Sequence, residues 1–200
     1  MEMDRDILEE ALSLLGDILE AENAEPLHLV ASGGAAMVVT GRVSRSTHDI
    51  DILATRGEID GEISPAFPLP DFLMNASRRV AKAKGLETAW LNAATSMLMV
   101  PLQDLPQKLW SDLVPREYGS RLKISFLGRS GQIYLKVYAA SNREEARDLV
   151  DLNALDPESG EIVDAICWMM EMELFPRRIT DRLERFLSKI GYEEAISEFN

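Results

Sequence analysis

A glycine pair and a pair of aspartates constrain the fold of this chain more than any other feature. Gly33 and Gly34 end an apolar run over residues 27–32. Asp49 and Asp51 open a second apolar run. Because residues i and i+2 of a strand point to the same side of a sheet, we expect the two carboxylates to lie together. The pattern therefore predicts a strand, a tight glycine turn and a second strand that begins at the aspartates.

The two carboxylates indicate a site for a divalent cation. Two like charges so close repel each other, and a cation relieves that repulsion. Carboxylate oxygens are ligands that Mg²⁺ prefers, usually shared with substrate phosphates, and the backbone N–H groups of a glycine turn suit phosphate. A plainer interpretation stays open, in which the aspartates are a solvated strand end and the glycines only a tight turn.

Composition limits the other possibilities. The net charge of −13 argues against broad, charge-driven nucleic-acid binding, although it leaves room for a local basic groove. The acidic N-terminus lacks a signal-peptide pattern, and no apolar run reaches the ~18 residues of a membrane span. These features predict a cytoplasmic protein without a membrane partner. The single Cys167 lies in an apolar stretch and is expected to be a buried thiol.

Apolar periodicity predicts a mixed α/β fold with a helical C-terminal part. Residues 57–70 hold two glycines and three prolines and are predicted to be a loop. We expect an α/β domain over residues 1–130 and a helical region, packed on it, over residues 131–200. Strands are predicted over 27–32, 49–54 and 121–127, and helices over 4–22, 35–40, 71–84, 133–140, 143–155, 160–173 and 178–190.

The motif residues resemble those of a known superfamily. Its signature is an apolar residue, Gly, Gly or Ser, a gap, and Asp-x-Asp flanked by apolar residues. This is the nucleotidyltransferase superfamily with the DNA polymerase β-like fold, a mixed sheet flanked by helices. The residues that carry the resemblance are Gly33, Gly34, Gly41, Arg42, Arg45, Thr47, Asp49 and Asp51.

The match is closer to one bacterial branch, which includes minimal nucleotidyltransferases and the AbiEii-like toxins of toxin–antitoxin pairs. That branch often holds Arg-x-Thr just before the first aspartate, as Arg45-Ser46-Thr47 nearly does. Two further segments resemble sequences of this branch. They are Trp90-Leu91-Asn92, and Lys136 followed by residues 147–152. The resemblance covers roughly residues 27–155, and its later parts are weak when taken alone.

The resemblance implies an activity and a set of site residues. Members transfer a nucleoside monophosphate from an NTP to a hydroxyl, with two metal ions (Mg²⁺ or Mn²⁺) on the aspartates. Asp49 and Asp51 are then the catalytic metal ligands. Candidate acceptors are RNA, protein or a small molecule, and a toxin of this branch has an antitoxin protein as partner. The nucleotide-binding residues implied are Gly33, Gly34, Arg45 and Thr47.

One departure from the family favours a different function. Active members usually carry a third carboxylate on a later strand, and Ser125 stands where we expect it in the strand over 121–127. Glu117 and Asp112 are alternative sources of that acid. Without a third acid, the chain is a catalytically degenerate member that binds or regulates through a protein partner.

Other features carry weaker expectations. Asp148 and Asp151 are expected to cap or to form ion pairs. Lys136 is expected to be an exposed helix lysine; contact with phosphate or a pair with Asp148 are the alternatives. The basic helix around Arg78 is a solvated face or a surface that steers a polyanion. A third function, half of a toxin–antitoxin pair, places the partner on an apolar helical stripe that would equally serve the core, formed by Ile179, Leu183, Phe186, Leu187 and Ile190.

Overall fold

A six-stranded mixed sheet flanked by helices forms the frame of the protein, as the α/β prediction requires. The computed structural model describes residues 2–57, 62–94, 101–142, 146–172, 174 and 179–195. The strands are β1 (Leu27–Ser32), β2 (Ile50–Arg56), β3 (Ile63–Pro65), β4 (Leu91–Asn92), β5 (Val114–Glu117) and β6 (Leu122–Phe126). The helices are α1 (Arg5–Ala21), α2 (Gly33–Val39), α3 (Asp71–Lys84), α4 (Arg129–Asn142), α5 (Ala146–Ala154), α6 (Ser159–Glu171) and α7 (Ile179–Ile190).

The sheet order places β1 and β2 at its centre. The strands follow the order β3-β2-β1-β6-β5, and β4 also pairs with β2. β1 runs antiparallel to β2 and parallel to β6. β4 runs parallel to β2 and joins it at the end where the aspartates lie, with Asp51 opposite Asn92.

One face of the sheet is covered by α1 and α3. α1 begins because the Asp4 side chain accepts a hydrogen bond from the Ile7 backbone N–H at 2.9 Å, which caps a free donor of the first turn. Its apolar face recurs at helical spacing and is fully buried against the sheet. Ile50 and Ile52 of β2 belong to the same core. Since side chains alternate along a strand, Asp51 between them points to the opposite face.

The second face of the sheet belongs to another core cluster, to which α4, α6 and α7 contribute. Val30, Leu53 and Ala54 of the sheet pack in one cluster with buried residues of these helices. The helical C-terminal part therefore lies on the sheet, on the face to which Asp51 points. The expected boundary at residue 130 falls inside α4, and the division into two domains stays a prediction.

Several elements differ from the sequence-based prediction. The stretch expected to be a loop over 57–70 contains β3, and both β4 and β5 were not predicted. Two 3-10 helices, Leu102–Asp104 and Gln107–Trp110, were also not predicted. The apolar stretch at 95–100, the start of the predicted 143–155 helix and the Pro176 break lie outside the described residues.

Within the described ranges, no helix has the length and the apolar character that crossing a membrane requires.

Cys167 is exposed on α6, so the expectation of a buried thiol is wrong. The helix turns its neighbours Ile166, Trp168 and Met169 into the core, which leaves Cys167 on the outer side.

Candidate active site

The glycine turn and the aspartates meet where β1 passes into α2. Ser32, the last residue of β1, is opposite Asp51 in the sheet. The chain then turns through Gly33, whose φ of +69° lies in the left-handed region that favours glycine. A Cβ atom on Gly33 would lie 3.0 Å from the Asp51 Oδ2 atom. The backbone of the turn therefore lies so close to this carboxylate that a side chain at Gly33 would require the carboxylate to shift.

All six predicted site residues line one cavity. Its volume is about 320 Å³. The sheet side of the cavity carries the predicted set, Gly33, Gly34, Arg45, Thr47, Asp49 and Asp51. Side chains from α4 and α5 form the other side, among them Gln132, Lys136, Tyr138, Arg147 and Asp148.

A larger cavity, of about 650 Å³, lies beside the N-terminus of α1. Its lining includes Glu2, Asp4, Asp6 and Arg45 but neither of the paired aspartates. The smaller cavity is the candidate site because it combines the glycine turn with both carboxylates, which the larger one does not.

The neighbour of the aspartates on the sheet is an asparagine. Asn92 of β4 is opposite Asp51, and its Nδ2 atom lies 3.5 Å from Asp49 Oδ2, the outer limit of a hydrogen bond. Trp90 fixes this strand: it is fully buried, its indole N–H donates to Ser77 O at 3.0 Å, and its carbonyl accepts from Ile50 N–H at 2.6 Å. Sequence reasoning quoted Asn92 only as part of a family triplet and missed its place beside the aspartates.

The positions considered for a third carboxylate lie elsewhere. β6 pairs with β1 and β5 rather than with β2, and the Ser125 hydroxyl lies 2.8 Å from His28 Nε2. Glu117 forms an ion pair with Lys123, and Asp112 accepts from the Ser130 N–H at the start of α4. None of these three positions lines the cavity. In the described part of the chain, no group of three or more acidic, histidine or cysteine side chains is arranged to hold a metal.

The remaining donor set fits a single hard cation. Two carboxylates project into one cavity beside a glycine turn, with an amide side chain next to them. Mg²⁺ is commonly held by one or two carboxylates, with water and substrate phosphates completing its octahedral shell. Asp49 and Asp51 are therefore donors of the type that such an ion takes.

A buried charge cluster closes the α4–α5 side of the cavity. Arg45 donates from Nε to Asp151 Oδ1 at 2.9 Å and from Nη2 to Asp151 Oδ2 at 2.7 Å. Lys136 Nζ lies 2.7 Å from Asp151 Oδ2 and donates to Asp148 Oδ1 at 2.9 Å. We call Arg45, Lys136, Asp148 and Asp151 the charge cluster.

The charge cluster confirms one expectation and corrects another. Asp148 and Asp151 form ion pairs, as predicted. Lys136 pairs with Asp148, which was one of the alternatives, and is buried rather than exposed. Its α4 position faces two carboxylates of α5, and pairing is what allows a lysine to be buried there. Burial by itself raises the pKa of Asp151, but the hydrogen bonds from Arg45 and Lys136 outweigh it, so the pKa of this carboxyl is lowered.

The loop before β2 is held at three points. Arg45 binds Asp151, and its Nη1 also donates to Ser46 O at 2.8 Å. The Thr47 backbone exchanges hydrogen bonds of 2.7 and 2.9 Å with fully buried Met3. The Thr47 hydroxyl donates to Asp49 O at 3.2 Å. The two residues expected to contact phosphate thus shape the approach to Asp49.

The basic helix α3 lies away from the candidate site. Arg79 forms an ion pair with Glu22, and Lys84 pairs with Glu10 at 2.7 Å, both on the surface toward α1. Neither Arg78 nor Lys82 lines the cavity. The basic side chains of α3 therefore form no basic groove with this cavity.

Comparison with protein-family models, with curated proteins and with solved structures finds no match for this chain. The chemistry of the site therefore follows from its own residues. These are two carboxylates beside a glycine turn and a cavity whose far wall carries paired and exposed cations.

Proposed function

We propose that this chain is a metal-dependent nucleotidyltransferase, which transfers a nucleoside monophosphate from an NTP to a hydroxyl acceptor. The observation that carries the proposal is the approach of the Gly33 turn to Asp51, in a cavity that Asp49 also lines. A triphosphate needs backbone donors free of side chains and a cation on nearby carboxylates, and both lie on the same edge of β1 and β2.

Each group of residues in the cavity has its own role in the proposed reaction. Asp49 and Asp51 would hold Mg²⁺ or Mn²⁺, which neutralises phosphate charge and activates the attacking hydroxyl. Gly33 and Gly34 would offer backbone N–H groups to the phosphates. The space that a side chain would take on these two residues is filled by Asp51, Thr47 and Arg45. Arg147 lines the cavity and is exposed, so it is the cation positioned to meet a bound phosphate.

The net charge of the protein affects which hydroxyl acceptor is favoured. A net charge of −13 disfavours RNA that would have to bind along an extended surface. The basic helix α3 does not join the cavity. Within the proposed reaction, a protein or a small-molecule hydroxyl is therefore favoured over RNA.

The charge-neutral Asn92 supports a second candidate, a catalytically degenerate protein that binds nucleotide without transferring it. An amide stands on the strand beside the aspartates, where it adds no charge to a metal site. A nucleotide-binding protein needs one cation, which it shares with phosphate. The transfer reaction that the family resemblance implies uses two metal ions, and two carboxylates offer few ligands for both.

A toxin–antitoxin role is the least supported part of the proposal. The stripe considered for a partner contributes Phe186, Leu187 and Ile190 to the core of the protein itself. The side chains of Ile179 and Leu183 lie outside the described residues. Phe186, Leu187 and Ile190 are therefore not available to an antitoxin.

Transfer of labelled nucleotide separates the two candidates. We would incubate the protein with each α-labelled NTP, Mg²⁺ or Mn²⁺, and cell-extract protein, RNA and small-molecule fractions. Asp49→Asn and Asp51→Asn test the site, and Asp17→Asn, an exposed aspartate of α1, is the matched control. Metal-dependent labelling by the wild type and Asp17→Asn alone supports the transferase. Nucleotide binding without labelling of any fraction favours the degenerate binder.

A further inference from the structure

Gln132 of α4 is fully buried at the glycine turn and lines the candidate cavity. Its side-chain Nε2 donates to the Gly33 carbonyl at 3.3 Å. Its Oε1 is buried and accepts no hydrogen bond from the described residues. A buried amide that satisfies only one end is uncommon, because an unpaired acceptor keeps its desolvation penalty.

The orientation of this amide follows from its partner. The Gly33 carbonyl only accepts hydrogen bonds, so Nε2 has to face it, and a flipped amide would set two oxygens against each other. Oε1 is then left as an acceptor. Gln132 lines the cavity, and Oε1 has no hydrogen-bond partner among the described residues.

Ser32 repeats the pattern on the other side of the turn. Its hydroxyl is fully buried, lines the same cavity and has no hydrogen-bond partner in the described part of the chain. Two unsatisfied polar groups therefore flank Gly33 within one cavity.

We propose that Gln132 is a specificity-determining residue, whose Oε1 accepts a hydrogen bond from an O–H or N–H group of the bound nucleotide. Phosphate oxygens and ionised carboxylates offer no hydrogen at neutral pH, so the triphosphate cannot satisfy this acceptor. A sugar hydroxyl or a base amino group can. The inference rests on the proposed nucleotide site and deepens it, because it assigns the buried floor of the cavity to the nucleoside.

Binding affinities test the assignment without any transfer reaction. Calorimetry with Mg²⁺ would first rank ATP, GTP, CTP and UTP on the wild type. The best of them is then compared with its 2′-deoxy and 3′-deoxy forms and with an analogue that lacks the base amino group. The same series is measured on Gln132→Met, which keeps the length of the side chain and removes the acceptor, and on the exposed control Gln103→Met.

One analogue is expected to bind the wild type about ten-fold more weakly, which is the effect of leaving a buried acceptor unpaired. Gln132→Met should bind the parent nucleotide about ten-fold more weakly and lose the preference over that analogue, while Gln103→Met keeps it. Weaker binding of a deoxy form to the wild type identifies a sugar hydroxyl as the donor. Weaker binding of the analogue without the amino group identifies the base as the donor.

Two results would overturn the inference, and they are distinguishable. If the wild type binds every analogue equally, Oε1 is satisfied by a trapped water or not at all, and the nucleotide site itself stands. The comparison within the wild type gives this answer even if Gln132→Met does not fold. If the wild type binds none of the four NTPs, the inference and the proposed function both fall.

Discussion

Arg45 and Asp151, which are 106 positions apart in the sequence, meet in a two-point ion pair with N–O distances of 2.9 and 2.7 Å. The carboxylate is fully buried, and Lys136 shares one of its oxygens. Arg45 belongs to the loop that leads into the aspartates, and Asp151 belongs to α5. The pair thus joins the two walls of the candidate cavity.

Removal of the Asp151 charge should destabilise the protein strongly. Asp151→Asn leaves Arg45 and Lys136 facing a neutral amide in a buried position, and breaking such a pair costs about 3 kcal/mol of unfolding free energy. Urea unfolding of both proteins at neutral pH measures it. Asp164→Asn, which removes the surface partner of Lys108, is the matched control and should change stability far less. Equal effects of the two substitutions would show that the buried charge cluster contributes no more to the unfolding free energy than a surface ion pair.

The difference in unfolding free energy between the wild type and Asp151→Asn should decrease at low pH. The pKa of Asp151 is lowered in the folded protein from its ordinary value of 3.8, so its charge stabilises the fold above that value. The contribution is lost as the pH falls through the folded pKa. The difference between wild type and Asp151→Asn should stay constant from about pH 7 to pH 5 and shrink below about pH 4. A difference that grows on acidification would contradict the ion pair.

The positive φ of Gly33 predicts a large effect of a small substitution. Gly33→Ala places a methyl group 3.0 Å from Asp51 Oδ2 in the left-handed region, which costs about 1–2 kcal/mol. Gly160→Ala is the control, since no described atom lies within 4 Å of its added Cβ on α6. That change should stabilise the protein by up to about 1 kcal/mol. Thermal unfolding of both variants gives the comparison, and a stabilising Gly33→Ala would be inconsistent with the turn described here.

The site was more predictable from the sequence than the wall that faces it. Asp49, Asp51 and the glycine pair are close in sequence, and the two-residue period of a strand suffices to bring the carboxylates to one side. Lys136 shows the limit of this reasoning, because helical spacing cannot tell that two carboxylates of a later helix bury it. Gln132 carried no signal at all, since a glutamine in a helix is ordinary and its partner is a backbone carbonyl 99 residues away.

Short strands explain most errors in the fold. β4 has two residues and owes its place to the buried Trp90 and to pairing with β2, which no local pattern encodes. β5 includes Pro115, and three of its four side chains are exposed, so it shows no alternation of apolar and polar residues. β3 ends at Pro65 within a segment rich in turn residues. The family resemblance places the third acid on β6, and no local pattern indicates that β4 is the strand beside the aspartates.

Cys167 should react with thiol reagents in the native protein. It is exposed, although partial burial, together with Asp164 and Glu171, raises the pKa of its thiol. We expect labelling of one thiol per chain without denaturant, more slowly than free cysteine at neutral pH and faster as the pH rises. Spectrophotometric titration of the native protein follows the reaction, with Cys167→Ser as the blank. A thiol that reacts only after unfolding would contradict the exposed position.

Thermal unfolding with nucleotide and Mg²⁺ tests the central claim most directly. A nucleotide at 100 times its dissociation constant adds about 2.7 kcal/mol, which raises the Tm by roughly 5–10 °C. We predict that the wild type and Asp17→Asn show this shift only when both NTP and Mg²⁺ or Mn²⁺ are present, and that Asp49→Asn and Asp51→Asn fold but do not shift. No shift of the wild type with any NTP, or an equal shift in the aspartate variants, would contradict a nucleotide site at Asp49 and Asp51.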